Sequence, residues 1–330
     1  MPKVQIVSGA SFDVGAQDTV VRAALRAGIG FPYECNSGSC GTCKFTLLEG
    51  EVEDLQPDSP ALSERDRKKG RKLACQCLPL TDLSIKVFED DEYIPKFKPK
   101  RLSAKLIDIK PVTHNIYSFK FKVEQDSCFL AGQYSLIELP DVGERAYSMS
   151  NLDNTDGVLE FLIKKVPGGK VSVSLFELDN TVPLSVSIDG PYGIAHIRDN
   201  NRDRICIAGG SGLAPMVSIA RQHIMENSKN KLIFIFGGQK NEDVLTEDEF
   251  RLMVGDDRGV IEYIAAVSND EPKNNYKKGY LNEVLMSELG EDLSSNDIYC
   301  AGPPALTNAL EQMLHSNAFP VDQLYFDRFN

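Results

Sequence analysis

From Lys3 to Val87 the apolar positions come in short runs separated by turns. KVQIV from Lys3, FTLLEGEV from Phe45 around a Glu-Gly turn, and the alternating LSIKVF from Leu83 predict strands. Two helices interrupt them. Asp18 is placed to cap TVVRAALRAG, where Val21, Ala24 and Leu25 share a face and Gly28 marks the stop. Ser63 with Asp66 three residues on forms a capping box for the second. Mixed strands with a packed helix predict a compact domain of about a hundred residues. The charged, proline-bearing run EDDEYIPKFKPKRL then reads as an exposed connection, with a boundary near Pro95.

Beyond it, IYSFKFKVE, GQYSLIEL, RAYSMSN, VLEFLIKKV and VPLSVSIDG follow at short spacing, broken by Gly, Pro and Asp turns. That pattern predicts an antiparallel barrel, with a single helix in VSVSLFEL after Gly169. After Asp203 the rhythm becomes strand and helix in turn, from RICIAGG and APMVSIARQHI to NDIYCAGP, ALTNALEQMLH and QLYFDRF. Strict alternation predicts a parallel sheet with right-handed crossovers. The fold class is therefore multidomain, α+β followed by α/β, with domains at residues 1–94, 95–199 and 200–330.

Composition narrows the function. The 330 residues are 42% hydrophobic and 25% charged, ordinary for a folded chain. A net charge of −12 repels a polyphosphate backbone, which argues against nucleic acid as a partner. No run approaches the roughly 18 apolar residues of a spanning helix, and MPKVQIVSGASFDV lacks a signal pattern, so a cytoplasmic protein without a membrane partner is expected. In that compartment eight cysteines point to metal or redox chemistry rather than disulfides.

Their spacing is informative. CNSGSCGTC puts four residues between Cys35 and Cys40 and two between Cys40 and Cys43, the plant-type spacing for a 2Fe-2S cluster. Gly38 and Gly41 let backbone N–H groups turn toward the sulfurs. Zinc sites more often pair cysteines at both ends, and a single three-cysteine loop fits iron–sulfur better. LACQCLP resembles the last strand of plant-type ferredoxins, which are β-grasp domains, and makes Cys75 the fourth ligand. Cys77, two residues on, is expected on the same side of that strand.

RAYS, Arg145 to Ser148, is similar to the RxYS motif of the ferredoxin-NADP reductase superfamily, whose barrel binds FAD. The resemblance implies that Arg145 meets the pyrophosphate, that Tyr147 packs on the isoalloxazine, and that the Ser148 hydroxyl bonds near the flavin N5, with Ala146 between. An Arg fork, a flat ring and a hydroxyl suit those tasks. GKVS, from Gly169 through Lys170 and Val171 to Ser172, resembles the family's GxxS turn facing the phosphates, and Lys164 joins this set. ICIAGGSGLAPM places Gly209, Gly210, Ser211, Gly212 and Pro215 after an apolar strand, where backbone N–H groups approach a pyrophosphate. It matches the superfamily's GGxGxxP.

The family's CGPP near the last strands reads CAGPP here. Gly302, Pro303 and Pro304 fit, while the cysteine is displaced to Cys300, either still near the nicotinamide as a catalytic thiol or turned into the sheet. In YFDRF, Phe326 and Phe329 both stand where relatives hold an aromatic ring on the flavin. GGQKNEDV offers only Lys240 for a 2′-phosphate, so NADH is favoured over NADPH.

The order ferredoxin, flavin, five-stranded nicotinamide domain resembles reductase components of bacterial multicomponent oxygenases, with FPYECNSG, LACQC and FDRF most similar to toluene and related aromatic monooxygenase reductases. The resemblance implies hydride transfer from NADH to FAD, then single electrons through a cluster near about −400 mV to an oxygenase component or a small ferredoxin. Reductases of a CDP-deoxysugar dehydrase or of a ring-hydroxylating dioxygenase share this order. A cluster-switched regulator is the reading from another class, disfavoured by the acidic charge.

Overall fold

The computed structural model describes residues 1–125, 127–178, 185–256, 258–290 and 293–329. It forms two units: Met1–Lys100 with Gly190–Ile194, and Arg101–Asp189 with Ala195–Phe329.

In the first unit β1 (Lys3–Ile6), β2 (Ser11–Asp13), β3 (Lys44–Glu49), β5 (Arg71–Leu73) and β7 (Leu83–Lys86) form one sheet in the order β2-β1-β7-β3-β5. β1 and β7 are parallel and the other pairs antiparallel. β4 (Val52–Asp54) and β6 (Cys77–Pro79) make a separate ribbon. Helix α1 (Val20–Ala27) buries Val20, Val21, Ala24 and Leu25 in the β-grasp manner and ends at Gly28, whose φ of 86° only glycine adopts freely. Its N-cap is Thr19, not Asp18. The Asp18 carboxylate instead accepts from Arg26, at 2.9 and 3.0 Å. Helix α2 (Glu64–Lys68) has the expected capping box of Ser63 and Asp66.

The expected exposed connection lies on this unit. Asp90 N–H donates to the Gly30 carbonyl at 3.0 Å, the Tyr93 ring stands 6.3 Å from Tyr33, and Arg26 donates to the Pro99 carbonyl. Tyr192 also belongs here: fully buried, it packs edge-on to Tyr33 at 6.3 Å, while Gly193 N–H donates to the Tyr33 hydroxyl.

The second unit begins with the barrel. β8 (Lys100–Pro111), β9 (Ile116–Val123), β10 (Tyr134–Leu139), β11 (Gly143–Ser148), β12 (Val158–Lys164) and β13 (Ser185–Tyr192) pair in the order β11-β10-β13-β8-β9-β12. The ends meet through a bridge between Met149 and Phe161, closing the sheet around Phe119, Phe121 and Phe161. Residues 182–184 of the expected VPLSVSIDG strand lie outside the described residues. The expected helix is α3 (Lys170–Phe176).

The parallel sheet contains β14 (Asp203–Gly209), β15 (Leu232–Gly238), β16 (Ile261–Val267), β18 (Asn296–Gly302) and β19 (Leu324–Arg328), with the two-residue β17 (Lys277–Lys278) added at one edge. Helices α4 (Leu213–Met225), α5 (Glu247–Val254), α6 (Leu281–Leu289) and α7 (Pro304–Ser316) connect them. The order β17-β16-β15-β14-β18-β19 reverses direction between β14 and β18. A crevice therefore opens outside the carboxyl ends of those two strands.

Barrel and sheet are joined by a buried ion pair. Glu160 on β12 accepts from Arg221 on α4 at 2.7 Å, and from Ser118 and Ser150 at 2.8 and 3.0 Å. Nearby, Gly132 N–H donates to Ser218 Oγ on α4 at 2.8 Å. Burial alone would raise the Glu160 carboxyl, but the Arg221 charge and hydrogen bond, aided by Ser118, hold it below its ordinary 4.5. The folded-state value being depressed, the pair's contribution is complete above pH 4.5 and is lost as pH falls through the lowered value. Glu160→Gln should cost about 1.5–3 kcal/mol at pH 7. Urea unfolding should show that deficit shrinking as pH drops below 4.5; a deficit independent of pH would mean the charge is not what joins the two halves.

Candidate functional site

The cysteine loop is shaped by three left-handed residues, Asn36, Gly38 and Gly41, with φ of 52°, 81° and 79°. A Cβ on Gly38 would fall 2.4 Å from Gln56 Oε1. The loop brings the four predicted thiols together as two pairs. Cys43 donates to Cys75 at 3.3 Å, and Cys40 hydrogen-bonds Cys35. Cys35, Cys43 and Cys75 are buried, and Cys40 is half-buried.

Donors surround the sulfurs. The thiolate form of Cys35 is favoured by the Cys40 thiol and then by Ser37 and Ser39; that of Cys75 is favoured by Cys43, Gln76 and the Gly38 N–H. Ser37 N–H lies 3.4 Å from Cys35 Sγ and Gln76 Nε2 3.6 Å from Cys75 Sγ. Two thiol pairs, each with N–H donors aimed at its sulfurs, fit the ligand set of a 2Fe-2S cluster. Cys77 is placed differently from the expectation. A 3-10 turn over Ala74–Gln76 separates it from β5, so Cys75 and Cys77 share no strand. Cys77 opens β6 opposite Asp54, fully buried, and burial pushes its thiol up to about 12.

In the second unit a cavity of about 390 Å³ is lined by barrel strands and by the start of α4. Arg145, Ala146, Tyr147 and Ser148 line it from β11, Lys164 from β12, and Gly169, Lys170, Val171 and Ser172 from the start of α3. Ser211, Ala214 and Phe329 complete the wall. Three cations against the single carboxylate of Glu144 make it electropositive. Burial pushes the Tyr147 phenol up to about 12 against the pull of Arg145, so the ring stays neutral. A Cβ on Gly169 would stand 2.6 Å from Ser172 Oγ. An apolar ring, a cationic rim and a cradle closed to side chains fit a flavin with its pyrophosphate.

Ser148 Oγ donates to Asp327 Oδ2 at 2.7 Å. Its one proton is thus engaged, and toward the cavity the hydroxyl offers lone pairs that accept from a ligand N–H. Asp327 is not legible in the motif itself, where the two rings of FDRF carry the resemblance. Strand alternation was the available signal: Asp327 pairs with Ala301, and the face that Ala301 shares with Ala214 is the cavity side.

The glycine turn sits at the crevice. Gly209 ends β14, Gly210–Gly212 form a 3-10 turn, and Pro215 is buried in the first turn of α4. A Cβ on Gly212 would lie 1.9 Å from the Ala301 carbonyl oxygen. Gly210, at φ 56°, stands beside the Lys164 ammonium. Gly302 ends β18, Pro303 caps α7 and Pro304 begins it.

Two expectations are corrected. Cys300 is fully buried among Ile205, Ile207, Leu310 and Leu314, on the sheet face opposite the cavity, and burial raises its thiol. It does not approach the site. Phe326, its β19 neighbour, shares that core, whereas Phe329 lines the cavity, its N–H donating to the Gly302 carbonyl at 3.1 Å.

Three family descriptions match in succession: a 2Fe-2S iron-sulfur cluster binding domain over residues 5–80, an oxidoreductase FAD-binding domain over 103–197, and an oxidoreductase NAD-binding domain over 206–312. The ferredoxin--NAD(P)(+) reductase CarAd of Metapseudomonas resinovorans is 38% identical, with all of both chains covered. The chain belongs to the oxygenase reductases. The ferredoxin--NAD(+) reductase component of the Xanthobacter autotrophicus alkene monooxygenase system is 37% identical, covering 99% of this chain and 100% of that one. The xylene/toluene monooxygenase electron transfer component XylA of Pseudomonas putida is 30% identical, covering 97% and 91%. A solved structure, the ferredoxin reductase in carbazole 1,9a-dioxygenase, superposes with a TM-score of 0.92 at 38% identity, covering 99% and 98%. The protein is thus an oxidoreductase with 2Fe-2S, FAD and NAD domains.

Because no side chain fits at Gly212, Gly212→Ala should retain flavin absorbance in the purified reductase but reduce NADH-driven flavin bleaching by about tenfold or more. Stopped-flow absorbance measures this. Cys300→Ala should leave the bleaching rate unchanged and cost about 1 kcal/mol of stability; a slowed rate would return the thiol to the active site.

Proposed function

We propose that the protein takes electrons from NADH through FAD in the second unit and releases them singly from the first, to the oxygenase component of an aromatic hydrocarbon monooxygenase or to its small ferredoxin. The cavity carries this reading: the RAYS strand, the Gly169–Ser172 turn and Phe329 enclose one space beside the glycine turn. The bound groups supply the redox chemistry, with FAD accepting two electrons from NADH and the 2Fe-2S cluster passing on one at a time.

The side chains position and shield. Arg145, Lys164 and Lys170 hold the pyrophosphate as charge-assisted donors. Tyr147 and Phe329 offer ring faces. Ser148, fixed by Asp327, presents an acceptor beside the reacting ring. The backbone N–H groups of Gly210–Gly212, with Pro303 and Pro304 on the facing strand end, receive the dinucleotide. Cys35, Cys40, Cys43 and Cys75 ligate the cluster.

NADH is favoured over NADPH because carboxylates dominate the turn after β15. Asp243 accepts from Gln239 N–H and Lys240 N–H, and Asp270 from Asn241 N–H, while Lys240 is 3.8 Å from Glu242. A 2′-phosphate meets that negative field. The names of the xylene/toluene and alkene monooxygenase components support the acceptor class. No helix among the described residues is long and apolar enough to cross a membrane. A cytoplasmic location, where thiols stay reduced, suits this chemistry.

Anaerobic NADH should bleach both chromophores of the holoprotein, and Ser148→Ala should slow flavin reduction by roughly a hundredfold without loss of bound FAD. NADH consumption coupled to hydroxylation in a reconstituted aromatic monooxygenase tests the acceptor. A flavin that bleaches while the cluster stays oxidised would refute the proposed route.

A further inference from the structure

Although the net charge is −12, the stretch leading into β5 is strongly basic. Residues 64–72, ERDRKKGRK, carry six cations against the two carboxylates Glu64 and Asp66. The turn that leads into the segment packs on the cysteine loop, and α2 is tied to the residue that follows it. Ser59 Oγ donates to the Gly38 carbonyl at 2.7 Å, a Cβ on Gly41 would stand 3.3 Å from the Ala61 carbonyl oxygen, and Lys44, next to Cys43, pairs with Asp66 at 3.2 Å.

Asp66 is the buried side of α2, bound by Ser63, Lys44 and Arg71. Arg67 is occupied by the carbonyls of Pro57 and Ser59, and Lys72 by Asp54. Arg65, Lys68 and Lys69 remain, all exposed and in no ion pair among the described residues. They stand at i, i+3 and i+4, hence on one face, where like charges repel and weaken a helix of only five residues. The helix C-terminus offsets part of that repulsion. On the same unit Glu49, Glu51 and Glu53, from the end of β3 to β4, are exposed and acidic.

We infer that the face formed by Arg65, Lys68 and Lys69 is the docking surface for the electron-accepting protein, and that this partner presents an acidic patch around its own redox centre. The inference rests on the proposed exit of electrons from the cysteine loop. Complementary charge there steers encounter and raises the association rate, which salt screens.

The holoprotein is assayed with NADH and two one-electron acceptors, an acidic rubredoxin and a basic c-type cytochrome. In the variant carrying Arg65→Glu, Lys68→Glu and Lys69→Glu, the second-order rate with rubredoxin should fall about tenfold or more and that with the cytochrome should rise. The corresponding Gln variants should fall between, and flavin and cluster reduction by NADH should not change. Raising salt should erase the difference between variants. Rubredoxin rates that ignore both charge reversal and salt, with the cluster still reduced by NADH, would overturn the docking surface alone. A cluster that NADH does not reduce would instead overturn the exit route on which the inference stands.

Discussion

The ion pair between Glu160 and Arg221 sets the geometry on which the active cavity depends. It ties β12 of the barrel to α4 of the parallel sheet, and those elements run from the pair toward Lys164 and the glycine turn. A buried carboxylate is stable there because Arg221, Ser118 and Ser150 satisfy it together and Lys120 stands 3.7 Å away. The same guanidinium also donates to the carbonyls of Ser150 and Met253, so its orientation is fixed from both halves. Two substrates that react by ring contact need a gap set this tightly.

Around that frame, the chain keeps bulk away from backbone. Gly212 meets the Ala301 carbonyl, Gly209 meets Leu306, and Gly237 meets Leu281, each closer than a Cβ tolerates. These contacts lie at the carboxyl ends of three neighbouring strands, where a dinucleotide approaches an α/β sheet. Asp327 adds a polar counterpart from the last strand, reaching back 179 residues to Ser148.

The parts legible in the sequence were those fixed by local geometry. The cysteine loop, the capping box at Ser63, the stop at Gly28 and the switch from barrel to alternating elements depend on near neighbours in the chain, and the structure has them where the patterns put them. What was illegible depended on which face of a strand turns inward. Cys300 and Phe326 carry the right chemistry one position out of phase, and alternation sends both into the opposite core. Asp18 was a plausible cap, but the competing Arg26 guanidinium eight residues on claimed its carboxylate. Asp327 and Arg221 find their partners only through tertiary folding, and no spacing rule connects them.

Tyr192 carries a consequence for any attempt to treat the cluster-bearing half as a detachable module. Its ring and the Gly193 amide complete the surroundings of Tyr33, two positions before the first ligating thiol, although they come from a strand that starts in the other half. A fragment cut cleanly after Lys100 would leave Tyr33 with an open flank and its hydroxyl without the Gly193 donor. Grafting this electron outlet onto another scaffold therefore means transplanting the Gly190–Ile194 peptide along with it.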